Sequence, residues 1–406
     1  MNTAQFFDEE LEEVKRKNGY RFLRTRDFNE SGKSTHALLD GREVILFGGN
    51  DYLGLSHHPK VIEAAVESIR EFGVGSQAAQ LIHGHTRDHL ELEKRIAEFK
   101  ETEAAIVFPS GYQSNMAAIS TLVGKGDLVV MDKLNHASLI DACRLSGAEF
   151  RIFPHKNYER LCEILATYPT SGKKLIVTDS VFSMDGDLAD LKILAQIKEK
   201  YGALLLVDEA HAIGVFGRRG SGLVEEQKAQ DKVDIQVGTL SKAIGCQGGF
   251  IAGSQKIIDY FINFARPFIF STGIAPHLCR AAKVAIELIE SEVKLREKLL
   301  WNTFEVRKEL VNDLHLDVGP SQSPIIPIMI GESERALQFS KGLLEEGIFI
   351  PAIRPPAVSP GESRLRLTIS ASHSKEDFKK LLLAIEKVKT LTLPSPLLRE
   401  RGRGEG

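Results

Sequence analysis

Two short stretches carry side chains whose types and order suit shared chemistry. The apolar run Leu204-Leu205-Leu206-Val207 ends in Asp208-Glu209-Ala210-His211. That places an acid at the C-terminal end of a strand, where ligands of α/β sheets gather. An Asp there can hold a cationic ring nitrogen, and His211 can reach the same ligand. The alternative is an acid that caps the next segment. Further on, Thr239-Leu240-Ser241-Lys242 follows the run Ile235–Gly238 and leads into Gly245-Cys246-Gln247-Gly248-Gly249. A surface Lys is solvated, whereas a buried one has a lowered pKa and becomes a nucleophilic amine able to form an imine. Asp208, His211 and Lys242 in this order are the parts of a pyridoxal phosphate site. Lys is the imine carrier, Asp the pyridinium partner and Thr239 a phosphate ligand.

Other strand ends add to the set. Ser110-Gly111-Tyr112 follows a strand and opens a helix, and backbone N–H groups at such a start bind phosphate. A plain tight turn with a cap is the alternative. Asn135-His136-Ala137-Ser138 follows the strand Asp127–Met131, so His136 can stack on a flat ring or start a surface helix. In Ser180–Asp187, Ser183 can donate a hydrogen bond to a ring hydroxyl. Each is weak alone; their coincidence at strand ends is the stronger signal. Cations come from the chain's two ends. Arg354 sits in the stiff Ala352-Ile353-Arg354-Pro355-Pro356. Arg364 and Arg366 share one strand face, with Arg366 suited to a substrate carboxylate and Arg364 read as solvated. Arg21, Arg24 and Arg26 form a second positive cluster. His83, His85 and His89 have ligand-like spacing, but they flank a glycine turn without a Cys partner, so no metal site is expected.

The elements that must position these residues alternate. Helical patterns cover residues 3–18, Pro59–Phe72, Arg87–Phe99, Gly111–Leu122, Tyr158–Thr167 and Leu188–Tyr201. Strand-length apolar runs cover Glu43–Phe47, Ala104–Phe108, Asp127–Met131, Phe150–Phe153, Leu175–Thr178, Ala203–Val207, Val233–Gly238 and Gly249–Gly253. This alternation predicts βαβ units around a mostly parallel sheet. After residue 275 the pattern changes to a long helical stretch, Pro276–Leu314, that is broken once at most. Strand Ile325–Ile330, helix Ser333–Glu346, strands Ile348–Ile353 and Arg364–Ile369 and helix Lys375–Leu391 follow. The expectation is a large domain at 56–290 and a smaller α+β domain at 291–391. The segment 1–55 should pack with the smaller domain, and 392–406 should be a disordered tail. With 52 Lys plus Arg against 55 Asp plus Glu, the net charge of −3 argues against nucleic acid or a polybasic membrane surface. No apolar run approaches the roughly 18 residues of a membrane span. The acidic, amphipathic N-terminus is unlike a secretory signal. The four scattered cysteines suit a reducing cytoplasm.

Several of these stretches together resemble the α-oxoamine synthases, pyridoxal phosphate enzymes of the fold-type I class. They are Asn50-Asp51-Tyr52-Leu53-Gly54-Leu55, Asn135–Ser138, Val181–Asp187, Val207–His211 and Gly238–Lys242, in one register from about residue 5 to 388. The resemblance implies a homodimer with shared active sites. It implies that Lys242 carries the cofactor and moves the Cα proton, that His136 stacks on the ring and that Asp208 holds its nitrogen. His211 and Ser183 would flank the ring hydroxyl, and Gly111, Tyr112 and Thr239 would frame the phosphate. Ser271 and Thr272 would reach the neighbouring chain's phosphate. Arg366 would hold the amino-acid carboxylate, and Arg24 and Arg354 an acyl chain with its own carboxylate. Arg-Pro-Pro at 354–356 resembles the biotin-pathway branch, which condenses L-alanine with a pimeloyl thioester of coenzyme A or an acyl-carrier protein. A glycine-using branch is the alternative. Three positions depart from the family pattern: Gln80 for a common Arg, Ala357 for a usual Thr, and Glu209 for a frequent Asp.

Overall fold

Two-sided burial explains why the central runs read as unbroken apolar stretches: every residue of Leu128–Asp132 and Ile235–Thr239 is buried. These strands belong to a seven-stranded sheet in the computed structural model, which describes residues 3–27 and 30–392. Its order is Ala104–Phe108, Gly249–Gly253, Ile235–Thr239, Leu204–Asp208, Lys174–Asp179, Leu128–Asp132, Glu149–Phe153. Gly249–Gly253 runs antiparallel to both neighbours, and the strands from Ile235 to Phe153 pair in parallel. The strands other than Gly249–Gly253 therefore all end at the same sheet edge.

Alternate side chains feed two cores. Leu128 and Val130 join Leu92, Leu161, Leu194 and Ala282 from the helices on one face. Val129 and Met131 join Ile119, Leu139 and Ile258 from those on the other. Ile258 lies on helix Gln255–Phe264, an element absent from the sequence expectation, as is strand His36–Leu39.

Near the C-terminus, Ile325–Gly331, Ser363–Thr368 and Ala352–Ile353 form a three-stranded sheet. A further sheet joins the two ends of the chain, because Ile348–Phe349 pairs in parallel with Arg42–Leu46. The single strand expected at Ile348–Ile353 is thus two, in different sheets. Pro351 between them has no N–H for a ladder, and the chain changes partners there. The long helical stretch is broken once, between Pro276–Ser291 and Val293–Asn312. Helix Thr3–Arg16 leaves Phe7, Leu11 and Val14 exposed. The stretch expected as a tail lies outside the described residues from 393 onward.

One buried ion pair ties the end of strand Leu204–Asp208 to the neighbouring helix and loop. Lys100 Nζ donates to Glu209 Oε2 at 2.8 Å and to the Ser221 carbonyl, while Glu209 Oε1 accepts from Leu223 N at 2.9 Å. Both side chains are almost wholly enclosed. Lys100→Met leaves a buried carboxylate uncompensated, so a loss of about 3–5 kcal/mol is expected from the denaturant midpoint of unfolding. A midpoint within error of wild type would contradict this.

Candidate active site

The strand ends converge on a cavity of about 220 Å³. Its wall includes Gly111, Tyr112, His136, Asp208, His211, Thr239 and Lys242, together with Asn115, Ser138, Asp179 and Ser241. The first seven are sequence expectations. The last four are not, because a small polar side chain on a helix face or strand end looks like any other until its neighbour across the sheet is known.

Asp208 is anchored at both oxygens. Oδ2 accepts from Asn115 Nδ2 at 2.7 Å, and Oδ1 from Ala210 N at 2.9 Å. Asn115 projects from the second turn of helix Gly111–Leu122 and also donates to Ser138 Oγ at 2.9 Å, while its own Oδ1 is buried without a partner. Lys242 faces this carboxylate from the next strand end. Burial pushes its amine down to about 8, against the pull of Asp208 and Asp179. His211 shares a 2.6 Å hydrogen bond between Nδ1 and Tyr52 Oη, and burial holds its pKa well below the usual value. Tyr52 itself is buried.

His136 caps helix Ala137–Ser146: Ser138 N donates to Nδ1 at 3.3 Å, which leaves the ring proton on Nε2. Its backbone N–H donates to Asp179 Oδ2 at 2.8 Å. Burial lowers the His136 pKa, and burial beside Asp208 raises that of Asp179 well above the carboxylate range. His136 and Asp179 are thereby both biased to the neutral state beside Lys242.

At the other end of the cavity, Ser110 Oγ accepts from Gln113 N at 3.2 Å and starts the helix that carries Gly111 and Tyr112. Backbone packs tightly here. A Cβ on Gly111 would lie 3.1 Å from Thr239 Oγ1, and one on Gly249 would lie 2.6 Å from the Gly111 Cα. Thr239 Oγ1 donates to the Gly248 carbonyl at 2.9 Å and accepts from Ser241 Oγ at 2.7 Å. The helix N-terminus at Gly111 opens on this end of the cavity beside the Thr239 and Ser241 side chains, a position suited to an anion.

The remaining expected residues lie beside the cavity or away from it. Arg366 is buried at its edge: Nε donates to the Ser183 carbonyl at 2.7 Å and Nη2 to Asn50 Oδ1 at 3.3 Å. Its charge reaches the site, since it helps lower both His211 and Lys242. Ser183 thus meets Arg366 through its backbone and is not part of the cavity wall. Arg364, expected to be solvated, is buried in an ion pair with Asp185, because strand Ser363–Thr368 lies against the Ser183–Asp187 segment. Arg24 pairs with Asp40 at 2.7 Å in a separate cleft with Phe22, Arg42 and Lys341. Arg354 donates to the Asn18 carbonyl, and burial together with Arg21 lowers its pKa. Ser271 Oγ accepts from Gln113 Nε2 at 3.2 Å, and Thr272 bridges to Ala79. Gln80 is buried and donates to the Val107 carbonyl at 2.9 Å. His89 Nε2 donates to the Ile274 carbonyl at 2.8 Å and His85 pairs with Glu93 at 2.9 Å, so these histidines are structural. Among the described residues no His, Cys, Asp and Glu cluster is arranged to hold a metal.

Comparison with known proteins places this arrangement. A family model for aminotransferase class I and II matches residues 42–385. The 8-amino-7-oxononanoate synthase of Thermoanaerobacter pseudethanolicus is 43% identical over 389 residues, 96% of this chain and 98% of that protein. Among solved structures, Sphingomonas wittichii serine palmitoyltransferase superposes with a TM-score of 0.91 at 34% identity, covering 97% of this chain and 99% of the other. A serine palmitoyltransferase structure described as holding a PLP internal aldimine superposes with a TM-score of 0.91 at 31% identity, covering 97% and 99%. These likenesses extend over nearly the whole chain, and on them the chain belongs to the class I and II aminotransferase family, within its α-oxoamine synthase branch.

Proposed function

We infer that this chain catalyses the decarboxylating condensation of L-alanine with a pimeloyl thioester, giving 8-amino-7-oxononanoate, CO2 and free thiol in biotin biosynthesis, with pyridoxal 5'-phosphate as cofactor. One observation carries the reading: a buried amine with a pKa of about 8 and a doubly anchored carboxylate share one cavity. The residues fit the cofactor on the structure's own terms. Gly111 and Gly249 make a cradle that a Cβ would fill, and the orphaned Asn115 Oδ1 shows polar capacity beyond that needed for the fold.

Each residue then has a task. Lys242 Nζ is the nucleophile that holds the cofactor and the base that takes the substrate Cα proton and returns one. Asp208 would hold the ring nitrogen and keep it protonated, and His136 would stack on the ring. His211, oriented by Tyr52, and Ser183 serve the ring hydroxyl side. Gly111, Tyr112, Thr239 and Ser241 receive the phosphate. Arg366 would use the N–H groups left over from Ser183, Asn50 and Thr368 to bind the amino-acid carboxylate. Pyridoxal phosphate supplies an electron sink for the negative charge that develops at Cα in proton loss and in decarboxylation.

Residues outside this cavity fit a homodimer with shared sites, in which Ser271 and Thr272 serve the neighbouring chain's phosphate. Exposed Ile82 and Phe270 beside them supply apolar surface for that contact. Arg24 and Arg354 then serve the distal carboxylate of the acyl chain. None of the described helices is long and apolar enough to cross a membrane. The four free cysteines support work in the reducing cytoplasm.

Purified protein offered pimeloyl-CoA should release thiol with L-alanine at least about tenfold faster than with glycine, a preference of about 1.4 kcal/mol in transition-state binding. Faster release with glycine and a short acyl-CoA would transfer the chain to the glycine-using branch.

A further inference from the structure

His155, which none of the roles above uses, sits between two loops that reach the cavity. It follows strand Glu149–Phe153 and bridges two carboxylates, with Nδ1 2.9 Å from Asp132 Oδ1 and Nε2 2.9 Å from Asp187 Oδ2. Both aspartates are almost fully enclosed, while His155 keeps a quarter of its side chain exposed. An ionised carboxylate only accepts, so a ring that satisfies one at each nitrogen carries a proton on both.

Each aspartate leads to the cavity. Asp132 Oδ1 also accepts from Leu134 N at 2.8 Å, which sets the turn that delivers Asn135 and His136. Asn135 fixes the far side of that turn by donating to the Val177 carbonyl at 2.9 Å. Asp187 closes the other loop, because Phe182 N donates to its carbonyl at 3.0 Å and the same loop presents the Ser183 carbonyl to Arg366. The edge-on contact of the imidazole with Phe182, at 4.4 Å between ring centroids, holds the loop from the side.

We propose that His155, as an imidazolium clamped between Asp132 and Asp187, is a positioning residue that locks the His136 turn to the Ser183–Asp187 loop and so sets how His136 meets the ring and how Arg366 is presented to substrate. The charged groups facing it are those two aspartates and Lys156, whose Nζ donates to Asp187 Oδ2 at 3.1 Å and whose backbone N–H donates to Asp132 Oδ2 at 2.8 Å. Tyr158 Oη is nearby, with its pKa raised to about 12 by burial, and stays neutral. The two carboxylates raise the imidazole to about 9, against its burial. The clamp is therefore intact at neutral pH and opens as pH rises through that value.

The inference rests on the proposed reading of the cavity, and its test uses the cofactor-loaded protein. His155→Gln keeps the length but offers one carboxylate an amide oxygen, an acceptor facing an acceptor. The expected result is a kcat lower by about ten- to a hundredfold, a smaller change in the KM for L-alanine, and a shifted visible band of the bound cofactor. Adding Asp187→Asn gives that oxygen a donor, so the double variant should recover most of the kcat and the wild-type band position. A His155→Gln protein with unchanged band and kcat, or a double variant no better than the single one, would overturn the proposal. If His155→Gln does not fold, a neutron structure of the wild type at pH 7.5 decides: deuterium on both ring nitrogens supports the clamp, and a neutral ring overturns it. A wild type that shows the band but releases no thiol refutes the assigned reaction instead and leaves the band readout intact.

Discussion

Lys242→Ala is expected to lower thiol release by at least about 10⁴-fold and to remove the visible absorbance band that wild-type protein forms with pyridoxal phosphate. Two losses combine in this substitution: the amine that fixes the cofactor and the base at Cα. The environment of Lys242 sets the pH dependence of the first. Burial brings the amine from 10.5 to about 8. At pH 7 that leaves about 300 times more neutral amine than an ordinary lysine has. The lowered pKa favours the neutral form, so the band should appear faster in apoprotein as pH rises, and level off above about 8. Stopped-flow absorbance of apoprotein mixed with cofactor measures this. A rate still climbing steeply at pH 9.5 would show that Lys242 is not the responding group. A Lys242→Ala protein that kept the band would remove the amine from the mechanism.

The same lysine illustrates what could be read from residues in order. Strand Leu204–Asp208, strand Ile235–Thr239 and helix Gly111–Leu122 each announce themselves locally: an apolar run, then a glycine or a cap, then the reactive side chain. Asp208, His211, Lys242, His136 and Gly111 were legible for that reason, and the sheet brings all of them to one cavity. Their partners were not. Asn115 meets Asp208 across 93 residues of chain, and Tyr52 meets His211 across 159. Nothing near either residue signals the contact, because the fold brings together segments far apart in the chain. Arg364 shows the same limit in reverse. A charged residue on a short strand reads as solvated, and only the approach of the Ser183–Asp187 segment supplies the Asp185 that allows its burial. Pro351 is a different case. The apolar pattern runs straight through it, but a proline cannot donate to a ladder, so one apparent strand becomes an edge in each of two sheets.

Asp208→Asn should separate charge from architecture, and its expected effect is a loss of about 10²- to 10³-fold in kcat with little loss of stability. Stability should survive because the neighbourhood can absorb the new amide. The amide oxygen of the substituted side chain can keep the hydrogen bond from Ala210 N, while its nitrogen needs an acceptor where Asn115 Nδ2 now donates. Asn115 has one ready: its Oδ1 is buried without a partner, and turning the Asn115 amide over presents that oxygen to the new donor. Ser138 Oγ, which now accepts from Asn115 Nδ2, already gives its one proton to His136 Nδ1 at 2.7 Å, so the turn costs the Asn115–Ser138 hydrogen bond. One buried hydrogen bond is then forfeited, so the unfolding midpoint should fall by no more than about 1 kcal/mol's worth. What disappears is the negative charge opposite the ring nitrogen, and with it the protonated ring needed to take up charge from Cα. A second consequence follows at Asp179. Its carboxyl is held well above the usual range by burial and by Asp208, so removing the Asp208 charge should lower its pKa. Ionised more readily, Asp179 would strengthen its bond to the His136 backbone N–H without replacing Asp208, because that oxygen is already committed to the turn. Steady-state kinetics, thermal unfolding and the visible spectrum of Asp208→Asn read the three effects separately. A variant with wild-type kcat would show that charge opposite the ring is dispensable. One that fails only by unfolding would show that the Asn115 amide cannot turn.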